Sequence, residues 1–152
     1  MEYKIYILCL LGGSIYLGIM DYKKYEMSNG VLLFLTIFSF IYNKKLGISF
    51  EEGVLGGSVY ILPFLFIYGY ISDFYGKECL GFGDIKLLFF LGILLTYKGL
   101  GELILYFNCL TITSLFYILL ILKKYRKDKI IPFAPPIIIS SWIFYFFKGY
   151  FI

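Results

Sequence analysis

The chain has 152 residues, of which 61% are hydrophobic and only 16% are charged, and its mean hydropathy is +0.85. A composition this apolar excludes a water-soluble fold, because a soluble domain of this size cannot bury so much apolar surface. The net charge of +4 does not indicate nucleic acid as a partner, since the basic residues fall in short runs between apolar segments. The sequence predicts a single all-α, membrane-embedded domain over residues 1–152, in contact with the lipid bilayer.

Six apolar segments recur along the chain, and each is a candidate transmembrane helix. A bilayer core of about 30 Å needs roughly 20 apolar residues per helix, although shorter spans are tolerated when flanking side chains reach the interface. The predicted segments are 3–20, 31–42, 53–71, 85–97, 103–122 and 137–147. The second, fourth and sixth are short, so they recruit loop residues or are partly re-entrant. We expect a polytopic bundle of about six transmembrane helices.

Basic residues are unevenly divided between the loops. Lys23 and Lys24 flank the first loop, Lys77 and Lys86 flank the third, and the fifth holds a basic cluster at 123–129. Basic loops stay on the cytoplasmic side of a membrane. The first, third and fifth loops are therefore predicted to be cytoplasmic and the N-terminus to lie outside.

The residue types that most often bind metals are scarce in this chain. Histidine is absent, which removes the commonest acid/base group near neutral pH and the commonest metal ligand. Cys9, Cys79 and Cys109 show no C-x-x-C spacing, so neither a disulfide framework nor a zinc site is indicated. We expect no metal and no cofactor, and any catalysis must depend on carboxylates.

Asp21 directly follows the apolar run that forms the first predicted helix. An ionisable group at membrane depth is costly and is by default a functional hypothesis. The structural alternative is that Asp21 ends the helix among the headgroups and pairs with Lys23 or Lys24.

Asp84 stands in a Gly-Phe-Gly-Asp sequence that opens the fourth predicted helix. The glycines permit a positive φ and a close backbone approach, the aspartate can cap the helix, and the helix dipole favours its charged form. The structural alternative is an ordinary N-cap in a glycine turn.

Topology places these two carboxylates on the same side of the membrane. Asp21 closes the first helix, and Asp84 opens the fourth after one outward and one inward crossing. Two carboxylates close together in a low-dielectric site cannot both ionise easily, so the pair shares a proton. An aspartic protease works from this state, with one carboxylate taking a proton from water and the other donating to the scissile carbonyl.

Three motifs resemble those of the type IV prepilin peptidases, which are membrane aspartyl proteases of the GxGD type. They are GFGDIKLL at 81–88, Asp21 followed eight positions later by Asn29, and IPFAP at 131–135, where the family typically has Ile-Pro-Phe-Gly-Pro. A Lys-Glu pair just before the glycines is also similar. Ser28, where the family usually has proline, and Ala134 depart from the pattern and bear on loop geometry. The resemblance covers nearly the whole chain.

The resemblance implies that Asp21 and Asp84 are the catalytic pair. The residues implied to shape the approach of the substrate or to line the site are Gly81, Gly83, Glu78, Lys86, Asn29 and Pro132.

Several of these residues also have simpler explanations. Lys86 either steadies an ionised Asp84 or is a cation that reaches the interface, and Glu78 either recognises a basic leader or is solvated. Pro132 either lines the cavity or starts the sixth helix. Asp73 lies on the same side, but no motif surrounds it and it is not assigned a role.

The activity that the resemblance implies is cleavage of the leader peptides of type IV prepilins or pseudopilins. Cleavage would occur on the cytoplasmic side of the plasma membrane, just ahead of the substrate's hydrophobic segment, by a multi-pass enzyme. Many bacterial members also carry an N-terminal cytoplasmic region with paired C-x-x-C motifs, associated with N-methylation. This sequence starts directly at the first helix, so we expect proteolysis without methylation.

Two other functions are compatible with parts of the sequence. A small transporter or channel subunit would use Asp21 and Asp84 for cation or proton handling, but it predicts acids deeper in the helices and internal symmetry, and the sequence has neither. A structural scaffold would use its glycine pairs, at 12–13 and 56–57, for helix packing. That reading leaves the Gly-x-Gly-Asp sequence unexplained.

Overall fold

Six helices form the part of the chain that the structure describes, a computed structural model covering residues 2–76, 80–122 and 131–151. Their bounds are α1 Glu2–Lys24, α2 Asn29–Lys45, α3 Phe50–Tyr75, α4 Phe82–Leu95, α5 Leu100–Leu122 and α6 Ala134–Phe151. Within these ranges there is no β-strand. The predicted all-α bundle is confirmed.

Each predicted segment corresponds to one of these helices. Five of the six segments lie entirely within their helix, which is longer than predicted. The exception is the fourth segment, which was predicted to run to Tyr97, whereas α4 ends at Leu95. Thr96 has a φ of 54° and so leaves the right-handed helix. At this end the Leu95 and Thr96 carbonyl oxygens accept hydrogen bonds from Lys148, far along the chain.

Three of the six helices are long and apolar enough to cross a membrane: Tyr3–Lys24, Phe50–Tyr75 and Leu100–Ile121. Together with the composition, they identify a membrane protein. The other three are shorter, and α4 has only 14 residues, or about 21 Å at 1.5 Å per residue. A helix of that length cannot cross a bilayer core of about 30 Å alone, so its polar ends need partners within the protein.

The short helix α4 is the centre of the bundle. It packs against α2, α3 and α6, and most of its residues are buried. Its crossing with α3 is especially close, since a Cβ added at Gly56 would lie 2.5 Å from the Gly92 carbonyl oxygen. Small residues at such a crossing let two backbones touch, which is a common way to hold helices together in membranes.

The C-terminal end of α4 is closed by polar side chains from other helices. Lys148 Nζ donates a hydrogen bond to the Leu95 carbonyl oxygen at 2.7 Å and lies 2.7 Å from Glu102 Oε2. Asn43 Nδ2 donates to the Ile93 carbonyl oxygen at 2.7 Å. A cation at a helix C-terminus is favourable, because the last carbonyl groups carry partial negative charge. These contacts fix α4 from the end opposite to Asp84.

The helix α3 contains a π-helical turn, Ile67–Ile71, between its α-helical part Phe50–Phe66 and a last turn Ser72–Tyr75. Such turns are rare and occur often at functional sites. Ile67 lines one of the cavities at the N-terminal end of α4.

Candidate active site

Asp21 lies in the last turn of α1 and is buried, with 8% of its surface exposed. Its Oδ2 accepts a hydrogen bond from the Ala134 backbone N–H at 3.2 Å. Ala134 is the first residue of α6, so the carboxylate meets the N-terminus of a helix, where negative charge is stabilised. Just beyond α1, Tyr25 has a φ of 56°, a left-handed conformation that ends the helix four residues after Asp21.

Asp84 lies in the first turn of α4 and is buried to the same degree, with 7% of its surface exposed. Its Oδ1 is buried and has no hydrogen-bond partner among the described residues. The N-cap residue of α4 is Gly81, and Asp84, three positions further on, accepts a hydrogen bond from the Gly81 backbone N–H. Asp84 therefore has one carboxylate oxygen available for another group.

The glycines of the Gly-x-Gly-Asp sequence provide space and do not adopt unusual backbone angles. Gly81 has a φ of −73° and Gly83 is inside α4, so the expected positive φ is not used. A Cβ added at Gly81 would lie 3.3 Å from Asp84 Oδ2. Glycine at this position keeps the carboxylate uncrowded.

The two carboxylates line the same two cavities. One, called here the loop cavity, has a volume of about 360 Å³ and is lined mainly by the α1–α2 connection and the start of α4. The other, called the α5 cavity, has a volume of about 470 Å³ and extends to α5 and the start of α6. Asp21, Tyr25, Gly81 and Asp84 line both. Asp21 also interacts electrostatically with Asp84.

The other residues implied by the resemblance are found around these cavities wherever the structure describes them. Gly83, Lys86 and Asn29 line the loop cavity, and Pro132 lines the α5 cavity. Glu78 lies outside the described residues. Asp73, which was not assigned a role, is exposed near the end of α3 and lines neither cavity.

Lys86 contacts α2 and the ring of a neighbouring residue. Its Nζ donates a hydrogen bond to Asn29 Oδ1 at 2.9 Å and lies 4.8 Å from the centroid of the Phe82 ring. Two residues of the proposed motifs, one on α2 and one on α4, are thus joined directly. The contact holds the start of α2 against the start of α4.

Several residues at the site were not predicted from the sequence. The loop cavity also includes Glu26 and Met27, and the α5 cavity includes Ser114 and Tyr117. Ser114 and Tyr117 are three positions apart, which puts them on one face of α5. Other hydroxyl residues occur in the same helix, so the sequence alone did not distinguish these two.

The two buried carboxylates at this site are groups that can exchange protons with a bound molecule. Among the described residues, no cluster of three or more His, Cys, Asp or Glu side chains forms a metal-binding set. The fold and the site together define a helical membrane protein with a buried pair of acids beside shared cavities.

Comparison with known proteins identifies the family. The chain matches the model of the Type IV leader peptidase family over residues 8–126. This match covers more than half of the chain, so the chain belongs to the Type IV leader peptidase family. The family predicted from the three motifs is confirmed.

Individual relatives agree with this assignment. The chain is 31% identical over 96 residues to the prepilin leader peptidase/N-methyltransferase of Aeromonas hydrophila, covering 63% of this chain and 33% of that protein. It is 30% identical over 103 residues to the protein of the same name from Haemophilus influenzae, covering 68% of this chain and 42% of that protein. The match thus spans from 33% to 42% of the length of these relatives. No solved structure matches it significantly.

Proposed function

We propose that this protein is a membrane-embedded aspartyl endopeptidase that cleaves the leader peptides of type IV prepilins or pseudopilins. The observation that carries the proposal is that Asp21 and Asp84, both buried, line the same two cavities in a member of a leader peptidase family. The named relatives, which are prepilin leader peptidases, support this choice of substrate.

The different surroundings of the two carboxylates support different roles in one reaction. Asp21 receives the Ala134 N–H at the N-terminus of α6, which favours its negative charge and suits a general base. Asp84 has a buried oxygen without a partner, which suits the protonated member of the pair.

Hydrolysis then follows in two stages. Asp21 takes a proton from a water molecule while the oxygen of that water bonds to the scissile carbonyl carbon. At the same time Asp84 gives its proton to the carbonyl oxygen. When the tetrahedral intermediate collapses, Asp21 passes its proton to the leaving nitrogen, the C–N bond breaks, and Asp84 recovers a proton from the intermediate's hydroxyl. The products are a carboxylic acid and an amine, and both aspartates return to their starting states.

The surroundings of the site suit a basic leader joined to an apolar helix. The exposed side chain of Glu26 lies on the loop cavity and supplies negative charge there. An apolar groove of about 530 Å³ between α2, α3 and α4 continues from this cavity, since Asn29, Phe82 and Lys86 line both. Lys86 stands at the junction, where it is hydrogen-bonded to Asn29, and a substrate there would meet acidic side chains in the cavity and apolar surface in the groove.

The proposed location is the plasma membrane, with several crossings and the site on the cytoplasmic side. The distribution of lysine and arginine supports this orientation, because it assigns the first and third loops, which flank Asp21 and Asp84, to the cytoplasm.

The proposal is tested by cleavage of a prepilin by the purified protein in detergent. The wild type is compared with Asp21→Asn and Asp84→Asn, which keep the size of the side chain but cannot exchange the proton. Each change is expected to lower cleavage by about 10³-fold or more. Asp73→Asn is the matched control, because that carboxylate is exposed and lines neither cavity, and it is expected to cleave like the wild type.

Thermal unfolding of each variant checks that the fold is kept. Full cleavage by both Asp21→Asn and Asp84→Asn would refute the aspartyl mechanism. A transporter or channel subunit would instead show ion-dependent uptake in vesicles and no cleavage by the wild type.

A further inference from the structure

Two hydroxyl groups of α5 lie in the α5 cavity without partners. Ser114 Oγ and Tyr117 Oη are buried, line this cavity together with both carboxylates, and have no hydrogen-bond partner among the described residues. Burying an unpaired hydroxyl in apolar surroundings is costly. Such groups in a cavity are free to donate hydrogen bonds to a bound molecule.

Neighbouring hydroxyls in the same helix show the ordinary arrangement. Thr111 Oγ1 donates to the Phe107 carbonyl oxygen at 2.8 Å, and Thr113 Oγ1 donates to the Cys109 carbonyl oxygen at 3.0 Å. A helix can therefore satisfy its own hydroxyls four residues back. Ser114 departs from this pattern although it stands next to Thr113.

Tyr117 lines the same cavity as the acid pair. Its hydroxyl interacts electrostatically with Asp21 as well as with Tyr22 and Tyr25. The remaining lining of the α5 cavity is largely apolar and includes Phe64, Ile118 and Phe133. A group that enters this cavity therefore meets both the hydroxyl groups of α5 and the two carboxylates.

The spacing of Ser114 and Tyr117 along α5 is near the repeat of an extended peptide. Side chains three apart on a helix have Cβ atoms about 5–6 Å apart. Carbonyl groups on one side of an extended chain repeat about every 7 Å, which is two residues of 3.3–3.4 Å each. The longer tyrosine side chain can make up the difference.

We propose that Tyr117 and Ser114 donate hydrogen bonds to backbone carbonyl oxygens of the substrate peptide beside the scissile bond. The inference rests on the proposed function and adds α5 as the substrate-positioning wall of the site. The two residues hold the extended segment so that its scissile carbonyl faces the carboxylates. Because they recognise backbone, they act on any leader sequence.

The test compares Tyr117→Phe, Ser114→Ala and the double variant with the wild type in steady-state cleavage of a prepilin in detergent. Loss of one such hydrogen bond is expected to raise KM by about tenfold and to leave kcat within about twofold, because flanking carbonyl groups are bound equally in the ground and transition states. The double variant is expected to lose more than either single variant.

Tyr60→Phe is the matched control. The Tyr60 hydroxyl is also buried without a partner among the described residues, but Tyr60 lines neither cavity at the acid pair. This variant is expected to keep KM and kcat within about twofold of the wild type, because hydroxyl removal here touches no substrate. Equal KM changes in Tyr60→Phe and Tyr117→Phe would overturn the inference.

The outcomes separate this inference from the proposed function. A wild type that does not cleave prepilin overturns both. A wild type that cleaves, with a double variant whose KM is unchanged, overturns only the role of Tyr117 and Ser114. A loss confined to kcat, or a lower thermal unfolding midpoint that accounts for the lost activity, also overturns it.

Discussion

The two ends of α4 differ in the contacts that their buried charged groups make. At the C-terminal end, Lys148 binds the Leu95 carbonyl oxygen and faces Glu102 at 2.7 Å, and Asn43 binds the Ile93 carbonyl oxygen. At the N-terminal end, Asp84 keeps a carboxylate oxygen without a partner among the described residues and borders two cavities. Asn43 Oδ1 at the first end also has no partner among the described residues, so the contrast lies between the ion pair at the first end and the cavities at the second.

This contrast separates structural from chemical use of polar residues in a membrane protein. Both ends carry buried acids, so the presence of an acid at membrane depth does not by itself identify a reactive group. Glu102 faces a lysine, while Asp84 is left available to an incoming group.

The largest expected effect comes from breaking the paired end. Lys148→Met leaves Glu102 buried and uncompensated and removes a donor from the Leu95 carbonyl group. Loss of one partner of a buried ion pair typically costs about 3–5 kcal/mol in the free energy of unfolding. Thermal or denaturant unfolding in mild detergent measures it, and cleavage per folded molecule is expected to change little.

Two companion variants sharpen this prediction. Adding Glu102→Gln to Lys148→Met removes the unpaired charge and is expected to restore much of the lost stability. Lys98→Met replaces an exposed lysine near the same end and is expected to change stability by no more than about 0.5 kcal/mol. If Lys148→Met unfolds like the wild type, the Lys148–Glu102 pair does not stabilise the fold.

A second change removes the backbone hydrogen bond that Asp21 accepts. Ala134→Pro eliminates the backbone N–H that Asp21 Oδ2 accepts, at a position where proline is compatible with the start of a helix. A hydrogen bond to a charged group contributes about 1.5–3 kcal/mol, so kcat/KM for prepilin cleavage is expected to fall by about ten- to a hundredfold. Steady-state kinetics and thermal unfolding are measured together.

Ala134→Gly is the control for this change. It keeps the N–H and removes only a buried methyl group, so its kcat/KM is expected to stay within a few-fold of the wild type. If Ala134→Pro and Ala134→Gly are equally active in folded protein, the backbone hydrogen bond to Asp21 does not matter for catalysis.

The helices and the acid pair could be predicted because both depend on strong local signals. Apolar segments of sufficient length indicate membrane helices, and each of the six predicted segments lies in a separate helix. The order of helices then placed Asp21 and Asp84 at one side, and both line the same cavities. Asp21 and Asp84 each had a structural alternative, and the predicted topology was what grouped them into one candidate site.

Features that depend on distant contacts could not be predicted. At the end of α4 the Leu95 carbonyl oxygen accepts a hydrogen bond from Lys148, about fifty residues further along the chain. The bond between Lys86 and Asn29 joins two motifs whose roles the sequence left open. Ser114 looks like its neighbour Thr113 in the sequence, and only the fold shows that one is paired and the other is not.

The smallest expected effect concerns the glycines at the open end, which differ in what a side chain would meet. A Cβ at Gly81 would lie 3.3 Å from Asp84 Oδ2, whereas a Cβ at Gly83 would lie 3.3 Å from the Cγ and Sδ atoms of Met27. Methionine is flexible and can move away, but the carboxylate must keep its place to react. Gly81→Ala is therefore expected to lower kcat about three- to tenfold, since displacing a reacting group by 1 Å can cost about a hundredfold.

Gly83→Ala is expected to keep kcat within about twofold, because the Met27 side chain can adjust. Gly30→Ala is the neutral control, since a Cβ there would meet nothing within 4 Å. All three glycines lie in or beside the first turn of a helix, so the comparison isolates crowding of the carboxylate from the general effect of adding a methyl group. Equal activity of Gly81→Ala and Gly83→Ala would mean that the open end of α4 tolerates displacement of Asp84, and the contrast with its paired end would then lie in charge alone.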